Sequence, residues 1–139
     1  MATLAHALQL VGGWIAPLII FLVKRQSRFV SFHALQALLL QIVHVVLMII
    51  LGIGWFIAIF STIILHSTDK AGPPPIAFFI MLPLFWLGIV AIGITTLVIA
   101  IVYCIKAGRG EWAEYPVLGR LARKILKIGP NGSMLPGQL

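Results

Sequence analysis

Apolar residues in this chain come in long uninterrupted blocks, without the alternating or one-sided patterns of a soluble domain. The first block runs from about Leu4 to Val23, twenty residues with no charge, close to the ~20 that cross a hydrocarbon core of ~30 Å. Gly12, Gly13 and Pro17 lie inside it. A prolyl nitrogen has no hydrogen to donate, so a kink or local break is expected at Pro17. Residues 1–23 hold no Lys or Arg, whereas a cleaved signal peptide starts with a basic region. The block therefore reads as a retained helix.

The second block, Phe29 to Leu65, would reach ~55 Å as one straight helix at 1.5 Å per residue. No polar turn divides it, and a hairpin at Gly52-Ile53-Gly54 would leave backbone groups unsatisfied in lipid. The pattern predicts one long helix spanning about 31–65, tilted or bent near those glycines. Its first two turns (Phe29–Gln36) lie at the interface or protrude. A third span over about 76–105 follows the Pro-rich stretch Ser67–Pro75 and carries Pro83, which predicts a bend in its first third. Pro116 suits the start of a last helix over about 116–128, and 129–139 read as an extended tail. The expected fold is all-α: one domain over 1–128, an integral membrane bundle of three transmembrane helices plus a C-terminal interfacial helix.

Composition agrees. Of 139 residues 61% are hydrophobic and 13 are charged, against about 25% charged in a soluble domain; mean hydropathy is +1.12. Soluble enzymes, disordered chains and disulfide-rich secreted domains are excluded. The net charge of +7 raises nucleic acid as a partner, but nine of the ten basic residues flank spans. Lys24, Arg25 and Arg28 sit in one segment, and Lys106, Arg109, Arg120, Arg123, Lys124 and Lys127 follow the last block. Lys70 is alone. That distribution marks the cytoplasmic face and removes the nucleic-acid reading. With three spans it places the N-terminus outside and the C-terminus in the cytoplasm of a bacterial inner membrane.

On the last helix, Val117, Leu118, Leu121, Ile125 and Ile128 share one ~100° arc while Arg120, Arg123, Lys124 and Lys127 share an opposite one. With Trp112 and Tyr115 at headgroup depth this is an anchor on anionic lipid or a docking surface for a partner. Within the spans no Asp, Glu, Lys or Arg occurs, and no nucleophile arrangement, phosphate loop or zinc spacing appears. The chain is expected not to be an enzyme, to require no cofactor and to have no evident small-molecule substrate.

The second helix carries a polar stripe: His33, Gln36, Gln41 and His44, continued by Trp55, Thr62 and His66. An unpaired polar group in hydrocarbon costs several kcal/mol, so the stripe should face protein. Gln41 and His44 either bond a neighbouring helix or, in the sharper reading, His44 is the axial ligand of a chlorophyll-type pigment or haem. On the third helix Gly88, Gly93, Thr96, Ala100 and Cys104 form a close-packing face expected to meet the first or second helix. Cys104, the single cysteine, reads as a small buried residue.

Phe29-Val30-Ser31-Phe32-His33-Ala34-Leu35-Gln36-Ala37-Leu38, directly after a basic loop, resembles a motif of the Tic-twenty-like family of small membrane proteins. Ile105–Trp112 followed by Tyr115-Pro116-Val117-Leu118-Gly119-Arg120 is similar to that family's closing motif. The resemblance implies a helical membrane fold with no catalytic residue, and a role in protein import in its plastid members. It implies that Phe32, His33, Gln36 and Tyr115-Pro116 tie the start of the second helix to the segment after the third. Three functions are open: from the absence of reactive groups and the close-packing faces, an accessory subunit of a larger membrane complex, energy-transducing or photosynthetic; from the resemblance, a translocation or insertion component; from His44, a pigment-binding subunit.

Overall fold

The computed structural model describes residues 1–68, 76–129 and 132–133. The Asp69–Pro75 segment, most of the tail and the side chain of His66 lie outside the described residues. Five helices follow one another: α1 (Ala2–Gly12), α2 (Ile15–Val23), α3 (Arg28–Thr68), α4 (Ile76–Gly108) and α5 (Leu118–Leu126). No strand occurs among the described residues. Two helices are long and apolar enough to cross a membrane, over Arg28–Leu65 and Phe79–Gly108. The described residues divide into two compact units, Met1–Val43 with Thr96–Leu139, and His44–Thr95.

The first apolar block is not one helix, and a count of three spans is not confirmed. The chain breaks at Gly13, whose φ of 55° and ψ of −137° lie where only glycine is at ease. It then reverses. Thr3 lies against Gly108 near the end of α4, His6 meets His33, and Gly13 lies beside Gln41. From there α2 climbs back until the Lys24 carbonyl accepts the Ser31 hydroxyl at 3.1 Å. Thus α1 and α2 are an antiparallel hairpin that enters and leaves at the same end of α3. The break falls at Gly13 rather than Pro17 for a physical reason. Pro17 sits in the first turn of α2, where a backbone N–H would have no intrahelical partner. At the other side of the turn, the Gln41 amide reaches the Gln9 carbonyl at the end of α1 at 3.5 Å.

Ser27 starts α3: its Oγ accepts the Val30 N–H and its carbonyl the Ser31 N–H. The helix then runs unbroken for 41 residues. The end of α4 is a glycine stop. Glu111 N–H donates to the Lys106 carbonyl and Gly110 N–H to Ala107, with Gly110 at φ 78°. The chain leaves this turn to run across the start of α3 before turning into α5.

In the His44–Thr95 unit, Gly88 lets α4 close on Leu51 of α3, and Trp55 stacks on Phe85 with centroids 4.7 Å apart. Thr62 and Thr95 donate to the carbonyls four residues back, so their hydroxyls are satisfied within their own helices. A groove of about 330 Å³ between these stretches is lined by Leu51, Gly54, Trp55, Met81, Leu84 and Phe85. Those walls offer hydrocarbon and no reactive group.

Candidate functional site

The polar residues of the Met1–Val43 and Thr96–Leu139 unit converge on one buried knot. His6, His33 and Gln36 are 0% exposed, and Gln9 and Tyr115 2%. Helical spacing explains why. His6 and Gln9 are three apart on α1, and His33 and Gln36 three apart on α3, so each pair projects from one face. The irregular stretch after Gly110 meets both faces, giving backbone groups to α3 and the Tyr115 hydroxyl to α1.

Its hydrogen bonds form two closed circuits. His33 Nε2 lies 3.0 Å from the Glu111 carbonyl, which can only accept, so Nε2 carries the hydrogen. With neutral rings, His33 Nδ1 then accepts from His6 Nε2 at 3.1 Å, and His6 Nδ1 accepts from the Tyr115 hydroxyl at 3.0 Å. In the second circuit Gln36 Nε2 donates to the Ala113 carbonyl at 3.2 Å, and its Oε1 accepts the Tyr115 N–H at 2.7 Å. Tyr103 donates to the Glu114 carbonyl at 2.6 Å, and its ring meets that of Tyr115 edge-on at 4.2 Å. Burial holds the Tyr115 phenol above its ordinary pKa. Gln9's amide lies against the Tyr115 phenol, and Gln41 Oε1 is buried without a hydrogen-bond partner among the described residues.

An aromatic and basic rim surrounds the knot. Trp112 packs on Phe29 and Phe32, with centroids 5.2 and 5.5 Å away. Arg123 pairs with Glu114, bonds the Gly129 carbonyl and lies over the Phe32 ring at 4.9 Å. Arg28 donates to the Gly132 carbonyl at 3.4 Å. Phe21, Leu35, Leu126 and Ile128 complete the apolar floor.

Several residues singled out in the sequence meet here: Phe32, His33, Gln36, Trp112 and Tyr115 share the knot and its rim, and Gln41 lies below at the hairpin turn. Cys104 donates weakly to the Thr3 carbonyl at 3.6 Å, and Ala100 is fully buried. Gly93 stands apart, with nothing within 4 Å of where a Cβ would be. His44 is half-buried and falls in the other unit. Arg123 is half-buried and pairs with Glu114, whereas Arg120, Lys124 and Lys127 are exposed. The helix has a third face, Gly119, Ala122 and Leu126, that turns toward protein and carries Arg123 with it. Sequence reasoning missed His6 and Gln9. Their signal was available: two polar residues three apart in an otherwise apolar block, the pattern that marked His33 and Gln36.

The arrangement defines a helical membrane protein whose polar residues bind chain to chain. Among the described residues no group of three or more His, Cys, Asp or Glu gathers as a metal site would. A family model, the MamF/MmsF magnetosome magnetite crystal formation protein family, matches residues 1–122, and the chain belongs to that family. No curated protein and no solved structure matches the chain. The match corrects the resemblance to a Tic-twenty-like family and leaves translocation without its basis. A photosynthetic or energy-transducing complex loses its support as well.

Proposed function

We propose that this chain is a non-catalytic protein of the membrane enclosing the forming magnetite crystal, acting on that membrane and its other proteins rather than on iron chemistry. The observation that carries the reading is the knot. His6, His33, Gln36 and Tyr115 are all engaged between chain segments, so the groups best suited to acid–base or ligand chemistry serve to fix one end of the fold. That end carries nine of the ten basic residues, a bias that supports a cytoplasmic side against anionic headgroups. The N-terminus, the Lys24–Arg28 segment and the stretch after α4 then share this side, because α1–α2 turns back instead of crossing.

Removing the gene from a magnetite-forming host and restoring it tests this. Electron microscopy is expected to show crystals altered in size or shape in the deletion strain, rescued by the wild-type chain. A chain carrying His33→Leu, which cuts both imidazole bonds, is expected to rescue poorly and accumulate less. Crystals of unchanged number, size and shape in the deletion strain would overturn the reading.

A further inference from the structure

With the basic end on the cytoplasmic side, as proposed above, the apolar α1–α2 hairpin would enter the bilayer from that end and stop part-way. Its turn at Gly13 lies beside Gln41, eight residues along α3 from His33, or about 12 Å at 1.5 Å per residue. Half of a hydrocarbon core is ~15 Å, so the hairpin's reach matches one leaflet. Its outer surface suits that position: Val11 is 90% exposed, and Trp14, Ile15 and Ile19 are each at least half exposed. These side chains at and around the turn are apolar, as contact with acyl chains requires. The polar side of α1, His6 and Gln9, is the side that faces protein. Beside the hairpin, α5 shows Val117, Leu121 and Ile125 on one exposed arc and Arg120 and Lys124 on the next, the pattern of a helix lying at the headgroup boundary.

We propose that the α1–α2 hairpin, with α5 beside it, is a one-leaflet wedge whose ligand is a bent anionic bilayer with the basic face on its convex side. The physical reason is area. Two helices each ~10 Å across add on the order of 150 Å² of cross-section to the leaflet they enter. Lipid in that leaflet must spread to admit them, and the strain falls when the leaflet curves outward. An amphipathic helix at the same boundary acts in the same sense, which is why such helices are sensitive to curvature. The sign of the curvature follows from charge and rests on the orientation proposed above. A cytoplasmic leaflet that is convex belongs to a compartment lying inside the cell.

The test uses the full chain, labelled with a fluorophore at its C-terminus and reconstituted into fluid vesicles containing anionic phospholipid. Diameters run from ~50 to ~400 nm, a range over which curvature-sensitive helices discriminate. Single-vesicle fluorescence gives protein per lipid area, and an impermeant quencher separates molecules with the basic face outward from those with it inward. Outward molecules are expected to be about threefold denser on the smallest vesicles, and inward ones depleted there. A double variant, Val11→Lys with Trp14→Lys, alters only exposed side chains at the turn and is expected to abolish the preference. Equal density at all diameters for both orientations of the wild-type chain overturns the wedge, whatever the variant does. If curvature preference is absent while the deletion strain still makes altered crystals, the wedge fails and the proposed function stands. If outward molecules prefer small vesicles and the crystals are unchanged, the reverse holds.

Discussion

At the scale of single residues, the knot places tight demands on small side chains. Gly119 sits where α5 passes the chain rising from α4. A Cβ there would lie 2.6 Å from Glu114 Cβ, 2.9 Å from Glu114 Cα and 3.1 Å from Gln36 Oε1. Two of these neighbours cannot swing aside, since one is backbone and the other is fixed to it. Gly119→Ala is therefore expected to destabilise the fold by about 1–3 kcal/mol, the usual cost of overpacking. Thermal melting of the detergent-purified protein measures it, and an unchanged Tm contradicts the packing described. The Gln36 bonds explain why the position is unforgiving. They hold Tyr115 N–H and the Ala113 carbonyl in place, so the segment cannot drift to make room.

At the scale of elements, the hairpin depends on its turn. Gly13 holds a positive φ that costs a β-branched residue about 1–3 kcal/mol. Gly13→Val is expected to loosen α1 from α3, seen as faster amide hydrogen exchange across Ala2–Gly12 than in the wild type. Exchange confined to the turn would mean the helices hold together without it. The same element shows where sequence reading reaches its limit. Twenty apolar residues satisfy a spanning helix and a pair of short antiparallel helices equally well, because lipid surrounds both. What separates them is the pair Gly12-Gly13 ahead of a proline that falls in a first turn, together with polar residues at 6 and 9 that would otherwise face hydrocarbon. The long second helix was easier to read, since nothing between Phe29 and Leu65 can satisfy a broken backbone in lipid. The Arg123 pairing with Glu114 was not legible, because two opposing arcs leave out a third side of the helix that touches protein.

At the scale of the whole molecule, charge and topology give one expectation. Peptide tags placed before Met1 and after Leu139 are expected to be reached from the same side of the membrane by an impermeant reagent. Labelling from opposite sides would contradict the hairpin and return the first block to a spanning role. The polar stripe had pointed toward one helix, yet the contacts that organise this end come from four separate stretches of chain. No periodicity within a single block reveals which stretch will meet which; a motif likeness named Phe32, His33, Gln36 and Tyr115 together, while His6 and Gln9 on α1 stayed hidden.

The bond between Tyr115 and His6 joins residues 109 positions apart. A ribosome adding ~5–20 residues per second needs roughly 5–20 s to supply the second after the first. Until then His6 and His33 can bond each other, but His6 Nδ1 and the Gln36 amide oxygen lack the Tyr115 groups that donate to them. Closure of the chain's beginning thus waits on synthesis of a residue far along the sequence. A chain cut short before residue 115 keeps the His6–His33 and Gln41–Gln9 contacts but lacks the hydroxyl and N–H that Tyr115 brings to His6 and Gln36.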